Sequence, residues 1–302
     1  MKKVIAIIVT FKRKHLLCKV IESILNQTVK PMEIIIIDNN SNDGTREVVK
    51  KFFNNGRVNI SYYNTGANLG GAGGFKIGMQ KALERKSEYI WLMDDDLSPD
   101  EHCLEYLLDS VNSSTICQPM RLNVDSTCAE YSPTCYDLKS VFTLRPKRET
   151  VINFFNSKKD AQIDLHGIPF EGPLIPTPIV SQIGLPDERF FIFYDDLDYA
   201  LRARKFGCKI KCITKAKATR LLKNNQVNDL SSWKGYFMLR NFFRIHLIYG
   251  ENIFVRSRPL LITIMYILKS MLTGNVKAAR ICFDAYIDHK SKSFRTSRRY
   301  IP

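Results

Sequence analysis

The 302-residue sequence predicts an α/β protein with a mostly parallel sheet flanked by helices, ending in a basic helical region. Three observations lead there. Strand-like and helix-like runs alternate through the first hundred residues, the pattern that builds a helix-covered parallel sheet. The early strand-like runs are nearly pure Ile and Val, as in strands buried on both faces. The charge is also divided unevenly. Residues 1–200 carry 23 basic and 26 acidic side chains, a net −3, whereas residues 201–302 carry 22 and 4, a net +18.

The elements follow in order. Val4–Val9 reads as a buried strand that stops at Thr10-Phe11-Lys12-Arg13-Lys14. In His15–Gln27, Leu16, Leu17, Val20, Ile21, Ile24 and Leu25 fall at helical spacing. Glu33–Ile37 is a second β-branched strand running into Asp38. Asn39–Thr45 supplies turn and capping residues before a helix reaching Phe53. Val58–Tyr63 is a third strand, Phe75–Arg85 a helix, and Tyr89–Met93 a fourth strand that ends at Asp94-Asp95-Asp96. The stretch 110–185 holds most of the prolines and gives no assignable pattern. Arg189–Tyr194 reads as an aromatic strand ending at Asp195-Asp196, with Leu197–Phe206 the helix after it. From about 226 the pattern is helical and basic, which sets domains of 1–225 and 226–302.

Composition excludes several classes. Hydrophobic residues make up 45% and charged (DEKR) residues 25% of the chain. These are ordinary globular values, so disorder, collagen and coiled coil are out. The eight Cys include no CxxC pair and read as reduced cytosolic thiols. The apolar run after Met1-Lys2-Lys3 is Val4–Val9. A secretory leader needs roughly 7–15 apolar residues, so this shorter run is expected to be a strand. A bilayer-crossing helix needs ~20 residues, and Leu260–Leu268 falls far short of that.

Three motifs carry chemistry. Asp94, Asp95 and Asp96 repel one another unless a cation or solvent intervenes, and Asp94 and Asp96 on one side of an extended segment could share a divalent ion. The alternative is an acidic helix start, with Leu97-Ser98-Pro99-Asp100-Glu101 opening the helix. Asp195, Asp196 and Asp198 form a second cluster, suited either to a general base of raised pKa or to helix capping. Asn68–Phe75 is a glycine loop able to bring backbone N–H groups to a phosphate, or simply a flexible turn. It is neither a dinucleotide fingerprint nor a P-loop. The five His are scattered without a metal-binding pair, and no nucleophile elbow occurs.

The basic end admits a membrane surface, a solvated helical end or nucleic acid. Trp233, Tyr236, Phe237, Phe242 and Phe243 alternate with Lys234, Arg240 and Arg244. With Leu260–Leu268 and the Arg295, Arg298 and Arg299 cluster, they suit an interfacial helix at an anionic leaflet. No nucleic-acid module is recognisable, so no nucleic acid is expected as partner.

Together these residues resemble the family 2 inverting glycosyltransferases of GT-A fold. More narrowly they are similar to the branch containing galactofuranosyltransferases and some rhamnosyltransferases. The resemblance rests on Val9–Arg13, on Asp38 with Asn39–Thr45, on Asn68–Phe75 and on Trp91–Asp96. It continues through Ile183–Gly207 and Tyr236…Arg240-Asn241, and so spans about residues 4–245. It implies that Thr10, Phe11, Arg13 and Asp38 hold the nucleotide. Asn68, Gly70, Gly71 and Gly73 would border the donor sugar and phosphates, with Asp94 and Asp95 beside them. Asp94 and Asp96 would bind Mg²⁺ or Mn²⁺, and Asp196 would be the general base, with Asp195 second.

The family's metal-binding His, expected some 20–30 positions after the base, has no counterpart in Thr214–Lys223 or anywhere before His246. Either aspartates and diphosphate alone hold the ion, or Lys and Arg offset leaving-group charge. The implied donor is UDP-galactofuranose, then dTDP-rhamnose, and the acceptor a lipid-linked glycan. The implied place is cytoplasmic, peripheral on the inner face of the cell membrane. A non-catalytic basic binding protein leaves the strand-end carboxylates unexplained. A nucleotidyltransferase would want glycine where Thr10–His15 stands.

Overall fold

The computed structural model describes residues 2–301 apart from 55, 57, 144, 155–161, 223–229, 231 and 295. Expected features at Arg295, Lys223 and the boundary near 225 lie outside the described residues.

The first half follows the predicted alternation: β1 (Val4–Thr10), α1 (Lys14–Leu25), β2 (Glu33–Asp38), α2 (Thr45–Lys50), β3 (Asn59–Asn64), α3 (Gly70–Glu84) and β4 (Tyr89–Asp94). Every residue of β1 and β2 is buried, because helices cover both faces of the sheet. Each Ile or Val sealed there contributes about 1.5–3 kcal/mol relative to exposure. Then come β5 (Leu97–Pro99), α4 (Cys103–Ser110), β6 (Thr115–Asn123), a hairpin of β7 (Pro133–Tyr136) and β8 (Lys147–Thr150), and β9 (Gln162–Asp164). They are followed by β10 (Leu174–Pro176), α5 (Thr177–Ile183), α6 (Asp195–Lys205) and β11 (Lys209–Arg220). Three helices close the chain: α7 (Trp233–Tyr249), α8 (Ile253–Thr273) and α9 (Val276–Lys290).

Nine of the described strands form one sheet in the order β3-β2-β1-β4-β10-β6-β11-β5, with β9 also on β11, while β7 and β8 pair only with each other. Strands β1 to β4 run parallel, with Thr10 level with Asp38 and Val9 level with Asp94. The carboxyl ends of β1, β2 and β4 therefore open at one rim, where ligands of such sheets bind.

Four expectations are corrected. Leu97–Glu101 does not open a helix: Leu97 is buried and Leu97–Pro99 pairs antiparallel with the end of β11, on the sheet edge where a proline is tolerated. Arg189–Tyr194 is not a strand. A 3₁₀ turn at Glu188–Phe190 leads into Phe191 at φ 63°, Phe193 at φ 66° and Tyr194 at φ 66°. No strand accommodates positive φ at three such residues. The glycines of Asn68–Phe75 are not a loop but the first turns of α3. A Cβ at Gly74 would lie 2.5 Å from a Val9 methyl, so glycine lets α3 settle on β1. Finally, the aromatic and cationic run of α7 faces inward rather than toward a membrane. Tyr236, Phe237, Arg240 and Phe243 are fully buried, because α8 and α9 pack over them.

Candidate active site

A cavity of about 430 Å³ opens at the carboxyl rim, within the range of small-ligand sites. Its wall includes Thr10, Phe11 and Arg13 from the end of β1, Asn39 after β2, and Asn68, Gly70 and Gly71 at the start of α3. Asp94, Asp95 and Asp96 enter from β4, Asp195 and Asp196 from the first turn of α6. Sequence positions far apart are thus brought together. Asp38 and Gly73 are outside this wall. Asp38 is fully buried, accepting from the Ser41 N–H at 2.9 Å and from the Tyr62 hydroxyl, and so shapes the turn beneath the rim.

The three aspartates do different things. Asp95 is buried and committed to the β1 loop: its carboxylate accepts from Thr10 Oγ1 at 2.7 Å, the Phe11 N–H at 3.3 Å and Arg13 Nη1 at 3.1 Å. Burial outweighs these contacts and pushes its pKa up to about 6. Asp96 accepts from Arg13 at 3.3 Å. Burial, then the nearby Asp96 and Glu171 charges, raise Asp94 well above the usual carboxylate range. Burial and Glu171 likewise raise Asp96. Two half-buried oxygen donors that disfavour each other's charge fit a hard dication. Among the described residues no third His, Cys, Asp or Glu joins them in a metal-sized cluster. His246 stands elsewhere, fully buried in α7, where burial lowers its pKa to about 4.

A second cavity of about 770 Å³ adjoins the first, lined by Tyr131, Tyr136, Arg145, Lys147, Tyr194 and Phe242 among others. Pro169, Glu171, Phe193, Asp196 and Arg220 line both. Asp196 is half-buried on that common wall. Burial pushes its pKa up to about 6, opposed by its hydrogen bond from the Leu197 N–H at 2.7 Å. Asp195 is raised well above the usual range by burial and by Asp196 itself. Asp198 is turned away and binds Tyr249 Oη at 2.7 Å and Arg202 Nε at 3.0 Å.

The sequence assigns several residues around the cavities no role at the site. Glu171 accepts from Arg121 at 2.7 Å and lies 3.3 Å from Arg220, while Arg121 also makes a bidentate pair with Glu130 at 2.8 Å. Trp233 and Lys234 line the first cavity rather than a membrane face. Least expected is the support of the bent loop before Asp195. Asn241 Nδ2 lies 2.8–3.0 Å from the carbonyl oxygens of Phe190, Ile192 and Phe193, and its amide is oriented by Arg240 Nε donating to Oδ1 at 2.9 Å. Arg240 Nη2 also donates to the Arg189 carbonyl at 2.6 Å. From the other side Gly70, at φ +69°, presses so close that a Cβ would fall 2.1 Å from the Phe191 oxygen. A continuous aromatic run hid this loop, whereas an Arg-Asn pair inside an apolar helix was the available signal.

Comparison with known proteins agrees with this geometry. The profile described as Glycosyl transferase family 2 matches residues 5–164. A relative named Galactofuranosyltransferase GlfT1, from Mycolicibacterium smegmatis, is 30% identical over 70% of this chain and 68% of its own length. The fold is similar to the crystal structure of GalNAc-T7 with UDP, GalNAc and Mn²⁺, with a TM-score of 0.59 at 13% identity over 86% of this chain and 54% of that one. It is similar as well to S. aureus TarS 1–349 in complex with UDP-GlcNAc, with a TM-score of 0.57 at 15% identity over 97% of this chain and 82% of that one. The chain spans about two thirds of the curated relative's length and about half of GalNAc-T7's. The family match over more than half the sequence decides the assignment: this chain belongs to glycosyl transferase family 2 and is a hexosyltransferase.

Proposed function

We propose that the enzyme moves galactofuranose from UDP-galactofuranose, with inversion, to a lipid-linked glycan in bacterial cell-surface polysaccharide synthesis. The observation that carries this reading is Asp196 on the wall common to two cavities. The smaller cavity would take the nucleotide-sugar and the larger, aromatic and cationic one the acceptor. The named relative at 30% identity favours galactofuranose over dTDP-rhamnose as donor.

Thr10, Phe11 and Arg13 would border the nucleotide, with Asp38 acting through the turn it shapes. Asn68, Gly70 and Gly71 would face the sugar and phosphates, while Gly73 and Asp95 hold the surrounding backbone. Asp94 and Asp96 would hold Mg²⁺ or Mn²⁺, whose bound charge offsets that developing on the departing diphosphate. Arg13, Arg220 and Lys234 line the same cavity and add fixed positive charge. Asp196 would accept the acceptor hydroxyl proton as that oxygen bonds to the anomeric carbon, while the sugar–phosphate bond breaks and its electron pair leaves with the nucleoside diphosphate. Asp195 is the second choice as base.

The catalytic part would be residues 1–225. Residues 226–302 would form a helical part that closes the base loop and keeps the enzyme peripheral on the inner, anionic face of the cell membrane. Calorimetry with UDP and dTDP, each with Mn²⁺ and with chelator and with Asp96→Ala as control, tests the donor site. Metal-dependent UDP binding lost in the variant is the expected result. Preference for dTDP would move the donor to rhamnose, and binding of neither would overturn the reading.

A further inference from the structure

Helix α8 is built with its polarity reversed. Arg258, Thr263 and Ser270 are buried against the body, whereas Leu261, Ile264, Met265, Leu268, Met271 and Leu272 face solvent, Leu272 at 89% exposure. Their spacing of three and four residues gathers them into one stripe. Ile253 and Phe254 extend it at one end, and Val276 does so across the turn into α9. A helix that packs on a protein and meets water on its far side shows the opposite arrangement. An exposed apolar stripe of this size marks a surface that meets something else.

Charge says what that is. Between Asn252 and Phe283 the sequence has five Lys or Arg and no Asp or Glu. Of these, Arg256, Lys269, Lys277 and Arg280 are exposed. A second copy laid on this face would bring like charges together, which disfavours pairing. An anionic surface is attracted instead. Among the described residues no helix is long and apolar enough to cross a membrane, so α8 would lie in the surface rather than span it. An apolar stripe fringed by four exposed cations, with Glu251 the exposed acid at its near end, has the chemistry of a helix bedded at the headgroup boundary.

We propose that the outer face of α8, continued into the α8–α9 turn, inserts into the outer few ångströms of an anionic phospholipid leaflet. This deepens the reading of a membrane-borne acceptor, yet rests on a separate part of the molecule. UDP calorimetry on the same samples tells its failure apart from failure of the donor site.

The test floats the full-length protein with vesicles of phosphatidylcholine alone and of phosphatidylcholine mixed with phosphatidylglycerol. Binding to the anionic vesicles is expected. The exposed-site variant Leu268→Glu with Met271→Glu should weaken it by more than about tenfold, since each Leu-sized side chain returned to water forfeits a large apolar transfer term. Lys277→Gln and Arg280→Gln should each weaken anionic binding by roughly fivefold and leave neutral-vesicle binding unchanged. Sedimentation equilibrium covers the rival occupant. Vesicle binding that ignores the glutamates, or a stable dimer that they dissolve in a protein that does not bind vesicles, would overturn the proposal.

Discussion

The side-chain amide of Asn241 donates to the carbonyl oxygen of Phe193 at 2.8 Å, across 48 residues of sequence. Phe193 and Tyr194 are left-handed, a conformation that costs non-glycine residues on the order of 1–3 kcal/mol each and that persists only where neighbours hold it. Two N–H groups of one amide are shared among three carbonyls in place of strand pairing. The loop so held delivers Asp195 and Asp196 to the cavities.

Replacing Asn241 should therefore act on chemistry more than on binding. Asn241→Ala leaves buried carbonyls unsatisfied, at about 1–3 kcal/mol of stability. A loop displaced by an ångström should lower kcat by about a hundredfold. Asn241→Asp, nearly the same shape, should be worse than alanine, because a carboxylate would face three carbonyl oxygens. Thermal unfolding and single-turnover rates measured beside UDP affinity check this. Equal losses in rate and UDP affinity would reduce the clamp to a purely structural role.

Asp196→Asn should lower transfer by roughly 10²–10⁴-fold, the usual worth of a positioned base, with UDP binding retained. Normal turnover in that variant would falsify the assignment and make Asp195→Asn the next measurement.

The pH profile follows from the same carboxyl. Asp196 has its pKa raised to about 6, chiefly by burial and further by Glu171, with Arg121 and Lys147 pulling the other way. A base works as the carboxylate, so activity is present above that value and lost as pH falls through it. The log of kcat/KM, which reports the free enzyme, should fall with unit slope on the acid side of about pH 6. An acid limb unchanged in Asp196→Glu and Asp196→Asn would assign it to another group.

Arg121 holds the common wall from behind, buried between Glu130 and Glu171. Arg121→Met strands Glu130 and leaves Glu171 with Arg220 alone, and should cost about 3–5 kcal/mol in urea unfolding. Arg121→Lys should recover little of it, since one ammonium cannot reproduce the bidentate pair at Glu130. A loss under about 1 kcal/mol would mean that water replaces the guanidinium.

The half of the molecule built from local, continuous signals was legible. Ile-rich strands alternating with amphipathic helices mark out β1 to β4, and that pattern alone sets the carboxylates of Asp38 and Asp94 at strand ends. What escaped depends on partners remote in sequence. Strand β11 does alternate, with Ile210, Cys212, Ala216 and Ala218 buried between exposed lysines at 209, 215 and 217, but small and charged residues make that alternation a faint one. Strands β9 and β10 have three residues each, too short for a period. At 189–194 the aromatic pattern points to a strand, and Arg240 and Asn241 overrule it. In the C-terminal region the basic, apolar character is plain in the sequence, yet it is α8 and not α7 that turns its large side chains outward.

Gly70 against Phe191 bears on how such enzymes could be recombined. The first cavity draws about half of its wall from the first hundred residues and the second is lined from Arg121 onward, which invites splicing the two parts from different relatives to obtain new sugar linkages. Yet the first residue of α3 and the loop before Asp195 meet with no room for a methyl group. An N-terminal part with alanine at that position would push the incoming loop away from its own clamp. A working chimera must therefore inherit the glycine, the aromatic loop and the Arg-Asn pair of α7 as one unit, although three separate stretches of the gene encode them.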